Sequence, residues 1–326
     1  GRAVLRSSIR EFLASEAMAA LDIPTTRALC VLNSQSPVYR EQVESGATLL
    51  RLAQSHIRFG HFEYAFHTGK KDLLQQLADY CISRYYPCLT DNTKRYDDFF
   101  KITVQKTARL VAKWQAFGFN HGVMNTDNMS IHGITFDYGP YAFLDDFDPK
   151  FICNHSDPQG RYSFDSQPGI GLWNLNALAQ SFTPHIEIAQ IKQALSLYEP
   201  TLLQEYSTLM HNKLGLLPNP AVAETNSYII NTWLDMLAAE KKDYSLAFRQ
   251  LCEFDIFNDN PQLRDQFIDR GRFDEWAKHY ILMLTKQGIE QTQRQSRMRQ
   301  HNPQIVLRNY ILQQVIDRAE EGDFEM

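Results

Sequence analysis

Apolar residues change their spacing several times along this chain. Ile9, Phe12, Leu13, Ala17, Ala20 and Leu21 recur at intervals of three and four, which predicts an amphipathic helix over 7–21. Ser8 and Glu11 form a capping-box pattern at its start. Two β-prone runs follow, Ala28 to Leu32 and Thr48 to Leu52, set apart by polar stretches at 33–37 and 44–46 that read as turns. From Lys71 helical spacing takes over, first in 72–85 and then in 96–117, where Phe100, Val104, Ala108, Val111 and Ala112 line one face. Between Gly118 and Phe147 the period breaks into a stretch rich in Gly, Asn and Asp, expected as a loop, a short strand pair and another loop. Helices are expected again over 170–182, 186–197, 200–214, 221–239, 243–252 and 273–287. Asn302 with Pro303 predicts the start of a last helix ending before Gly322.

The pattern is α+β, with a small sheet-bearing layer over 1–68 and a large helical layer over 69–326. That order of helix, strands, helices, acidic loop and helices is expected of a bilobal, protein-kinase-like fold whose small lobe is truncated at its start. Composition narrows the function. With 326 residues, 44% of them hydrophobic and 12% aromatic, the chain can bury a sizeable core. A formal net charge of -5 disfavours nucleic acid or an anionic membrane as partner. No apolar run approaches the ~18 residues that would cross a bilayer. The five cysteines, Cys30, Cys81, Cys88, Cys153 and Cys252, show no C-x-x-C spacing, so reduced thiols are expected rather than a zinc site.

The chemistry is expected where the period breaks. Residues 121–130 read His-Gly-Val-Met-Asn-Thr-Asp-Asn-Met-Ser, and Asp137-Tyr-Gly139 follows. Asx turns alone explain any one of Asn125, Asp127 and Asn128, but not the second aspartate at this spacing. Asn128 and Asp137 offer oxygen ligands to a hard divalent cation that completes its shell with phosphates and water. Asp127 is left to accept a proton from a hydroxyl. Kinases use an Asn and an Asp-Phe-Gly aspartate in this way, yet small-molecule kinases place their base two residues after the histidine, where this chain has Val123. A phosphotransferase and a non-catalytic nucleotide-binding scaffold stay open as alternatives. His121 and His132 are expected as structural hydrogen bonders.

These segments, with Phe143-Leu-Asp-Asp146, Phe151-Ile-Cys-Asn-His-Ser-Asp157 and Val306-Leu-Arg-Asn-Tyr310, resemble the selenoprotein O (SelO, YdiU) family over essentially the whole chain. The resemblance implies a pseudokinase that binds ATP in a flipped orientation and transfers AMP to Ser, Thr or Tyr hydroxyls of proteins, releasing pyrophosphate, with UTP as an alternative donor. It implies Mg2+, or Mn2+ in its place, on Asn128 and Asp137, and Asp127 as the proton acceptor. It implies nucleotide contacts from Gly1, Arg51, Arg58 and Asp137, and a lysine pairing with Glu11. That lysine and the phosphate loop are expected upstream of Gly1, so this stretch alone is expected to bind ATP weakly. A bacterial source implies a cytoplasmic protein and a eukaryotic one a mitochondrial protein. Cys153 is expected as a buried thiol, with a disulfide switch as the alternative.

Overall fold

The computed structural model describes residues 2–39 and 43–325; Gly1, expected at the nucleotide, lies outside them. The first apolar pattern becomes helix α1 (Leu5–Ala20), with extended Val4 as its N-cap. Burial of Leu5 draws the helix two residues further upstream than expected. Ser8 therefore falls inside the helix with its hydroxyl buried and unpaired, while Glu11 reaches across to the backbone N–H of Tyr138. The Ser8–Glu11 capping box does not form.

Strands β1 (Arg27–Tyr39) and β2 (Val43–Leu52) pair antiparallel from Arg27↔Leu52 to Tyr39↔Val43. Both stretches expected as turns, 33–37 and 44–46, lie within these strands. A register shift between Asn33 and Pro37 accommodates the proline, which has no N–H for the ladder. Leu29, Leu32, Leu50 and Leu52 stay exposed on this ribbon.

Helix α2 (Phe59–His67) was not expected. Its Phe62 stacks on Phe182 at 5.4 Å and abuts Phe99, so α2 packs on the helical layer. Helices α3 (Lys71–Tyr85) and α4 (Arg95–Phe117) follow the predicted periodicity, and Gly118 ends α4 in the left-handed conformation. Two short strands, β3 (Phe119–Asn120) and β4 (Ala142–Phe143), pair to tie off the excursion between them. Inside it the expected strand pair reduces to a single bridge, Met129↔Thr135, turning at Gly133, where a side chain would collide with the Lys106 backbone.

The remaining helices are α5 (Gln167–Phe182), α6 (Ile188–Leu195), α7 (Tyr198–Leu214), α8 (Ala223–Ala239), α9 (Tyr244–Leu251), α10 (Pro261–Arg264), α11 (Arg270–Gln287), α12 (Gln291–His301) and α13 (Asn309–Glu320). Asn302 does not start a helix. It follows α12, and its buried amide donates to the Lys213 carbonyl, so the last helix begins only at Asn309. Central helix α4 buries Phe100, Val104, Val111 and Trp114 completely against its neighbours. A second aromatic centre gathers Trp233, Trp276 and Tyr280. Two cations sit in this lower core: Lys213 beneath the rings of Phe117, Tyr244 and Phe248, and Arg294, hydrogen-bonded to Tyr280 and the Phe254 carbonyl. Among the described residues, no helix is long and apolar enough to cross a membrane.

Candidate active site

The loop after β3 is held from below. The N–H of His121 donates to Gln167 Oε1, and Gln167 in turn donates to the Phe119 carbonyl, fixing the loop to the start of α5. His121 Nε2 lies 2.8 Å from the Phe136 carbonyl and therefore carries the ring proton. Burial lowers the pKa of His121 and brings that of His132 to about 4, so both rings stay neutral, as expected of structural hydrogen bonders. At the next turn Asn128 Nδ2 donates to the Val123 carbonyl.

Asp127 is exposed, and its carboxylate rests on the first turn of α2: a methyl group on Gly60 would lie 1.9 Å from Asp127 Oδ1. A helix N-terminus favours negative charge. The ring of His61 fixes that terminus by accepting the Arg58 N–H. Asp137 has φ +57, a left-handed backbone that is uncommon outside glycine.

One charge network joins Glu11, Arg51, Arg58 and Asp137. Arg51 lies 2.9 Å from Asp137 Oδ1 and 2.7 Å from Glu11 Oε2, the latter an ion-pair contact rather than an aligned hydrogen bond. Arg58 Nη1 contacts both Asp137 Oδ2, at 2.9 Å, and the Asp127 carbonyl, at 2.8 Å. Its guanidinium covers the Phe136 ring at 5.0 Å. Burial raises the pKa of Glu11, Arg51 opposes that rise, and the nearby Asp137 adds to it. Among the described residues the cation on Glu11 is thus Arg51. An open cavity of about 850 Å³ between α1 and the β1–β2 ribbon has Glu11, Arg51 and His56 in its wall.

Two contributors escaped sequence reasoning. Arg10 donates to the carbonyls of Gly139 and Tyr141, binding α1 to the segment after Asp137. Gly60 makes room for the Asp127 carboxylate. The first left no signal beyond lying next to Glu11, and the second acts through the side chain it lacks.

The donor set fits a hard divalent cation of limited protein coordination. With Nδ2 committed to Val123, Asn128 has Oδ1 to offer, and Asp137 has a carboxylate held by exchangeable arginines. No cluster of three His, Cys, Asp or Glu suited to a metal occurs among the described residues. Such a cation would therefore bring phosphate and water to complete its shell.

The sequence is matched by a family model described as "Protein adenylyltransferase SelO", which covers residues 1–326. The chain belongs to the SelO family. Members similar to it include proteins named "Protein nucleotidyltransferase YdiU" from Pseudoalteromonas atlantica, 54% identical over 99% of this chain, and from Klebsiella pneumoniae subsp. pneumoniae, 50% identical over 99%. The chain spans 67% of the length of each. The SelO family is one of nucleotidyltransferase enzymes, and the α+β, kinase-like architecture expected from the sequence is the one observed.

Cys153 sits between these segments. Its thiol donates to Asn120 Oδ1 and to the Pro140 carbonyl, and burial pushes its pKa up to about 12. A protonated, hydrogen-bonded thiol is a poor nucleophile.

Proposed function

We propose that the protein transfers AMP from ATP to Ser, Thr or Tyr hydroxyls of proteins and releases pyrophosphate. The observation that carries this reading is the sharing of Asp137 by Arg51 and Arg58, immediately beside an exposed Asp127. Two guanidinium groups that share one carboxylate can exchange that partner for phosphate oxygens when Asp137 turns to a cation. Mg2+, or Mn2+ in its place, held by Asn128 and Asp137, would offset charge on the phosphates. Asp127 takes the proton of the acceptor hydroxyl as its oxygen bonds to the α-phosphorus. The bond from the α-phosphorus to the bridging oxygen breaks, and pyrophosphate leaves toward the arginines. The cavity lined by Glu11, Arg51 and His56 is large enough for a nucleotide.

ATP labelled at the α-phosphate should leave its label on protein, and ATP labelled at the γ-phosphate should not. Retention from the γ position alone would show a kinase. No retention from either would leave the scaffold reading. The relatives' name specifies no base, so α-labelled UTP in the same assay decides the donor.

A further inference from the structure

Beside the loop that carries Asp127 an exposed cation lies on an aromatic shelf, and among the described residues no anion pairs with its side chain. The guanidinium carbon of Arg161 is 4.7 Å from the centre of the Trp173 ring and 5.6 Å from that of Tyr162. Trp173 is 51% exposed, a large apolar surface to leave in water. Among the described residues the Arg161 side chain has no carboxylate or carbonyl partner; its recorded hydrogen bond is made by its backbone N–H, to Asp157. A guanidinium lying over rings keeps its in-plane N–H edge available, and that edge matches the two oxygens of a carboxylate.

Both halves of the shelf are fastened to the loop that carries Asp127. Asn174, next to Trp173, donates to the Met124 carbonyl at 2.8 Å. The hydroxyl of Tyr162, next to Arg161, donates to Asn125 Oδ1 at 2.6 Å. Asn125 is the N-cap of the short turn 126–128. Ile152, 40% exposed and adjoining Gly160, extends the apolar surface. Arg51 and Arg58 are engaged elsewhere, on Asp137, so Arg161 is not part of their charge network.

We propose that Arg161 and Trp173 form the docking shelf for the acceptor polypeptide, selecting segments with a Glu or Asp side chain flanking the hydroxyl that receives the nucleotide. This rests on the transfer of a nucleotide to protein hydroxyls. The carboxylate takes the guanidinium edge, and apolar side chains of the acceptor cover Trp173 and Ile152.

The test uses synthetic peptides with a central serine flanked by glutamates, alanines or lysines, and α-labelled ATP as donor. The glutamate peptide should show a KM about tenfold below that of the alanine peptide. Arg161→Ala should abolish that preference, Trp173→Ala should weaken all peptides, and Arg161→Glu should shift the preference to the lysine peptide. The KM for ATP and the melting temperature should stay unchanged in each variant. Equal KM values for glutamate and alanine peptides, label on the protein itself but on no peptide, or an Arg161 variant that alters only the KM for ATP would each overturn the shelf. Absence of α-label from every acceptor, the protein included, would instead refute the transfer reading.

Discussion

The arginines of the cleft and the buried cations of the lower core face the same electrostatic problem and meet it differently. Arg51 and Arg58 are partly open to solvent and share carboxylates, Asp137 between them and Glu11 with Arg51. Lys213 and Arg294 are buried and, among the described residues, pair with no carboxylate, one lying among rings and the other on a carbonyl and a phenol. Partners in the cleft can be exchanged because an arriving anion finds both solvent access and a replacement for each pair. Partners in the core cannot, since they are part of the packing. Substitutions in the cleft should therefore change chemistry at nearly constant stability, and those in the core the reverse.

The largest expected effect is from Asp127→Ala, which should lower transfer by about 10²–10⁴-fold, the usual range for a general base, while calorimetric titration shows nucleotide binding intact. Survival of activity would break the assignment of the cleft. Gly60→Ala should follow, because its methyl group would displace the Asp127 carboxylate; kcat should fall about 10²-fold with the KM for ATP unchanged.

Lys213→Met tests the other side. Burial lowers the Lys213 pKa from 10.5 to about 7, so the unfolded chain binds the proton more tightly. The resulting penalty on folding is full below about pH 7 and fades as pH rises toward the unfolded value. Urea melts should show the methionine variant more stable by a few kcal/mol at pH 6, less the lost ring contacts, with the gain shrinking by pH 9. A gain that grew with pH would contradict this. The smallest effect concerns Cys153: at pH 8 in the folded protein, mass spectrometry should find exposed Cys88 alkylated by iodoacetamide and Cys153 untouched.

Long helices such as α3 and α4 were legible because burial of one face imposes its period on the sequence. Helix α12 was not: in Gln-Thr-Gln-Arg-Gln-Ser-Arg-Met-Arg-Gln-His the buried residues are Arg294 and Met298, too few apolar positions to show a stripe. Helix α2 spans only nine residues, and its aromatic and histidine side chains gave no clear period. At the site, Asp127, Asn128 and Asp137 could be named because metal and proton chemistry needs their functional groups, whereas Glu11, Arg51 and Arg58 were named through the family resemblance. Their mutual arrangement could not be read, nor could Arg10, which acts on carbonyls that every residue has.

Thr135 ties the two layers of the cleft together. Its N–H and hydroxyl both donate to the Pro24 carbonyl, and its own carbonyl accepts the Thr26 N–H, so the link between α1 and β1 is stitched to the loop two residues before Asp137. Trp114, deep in α4, holds the same hydroxyl. Asp137 lies two residues beyond Thr135, and Arg51, opposite Ala28 in the register, sits at the end of the ribbon nearest the seam. One set of hydrogen bonds therefore fixes the spacing of arginine and aspartate from both sides.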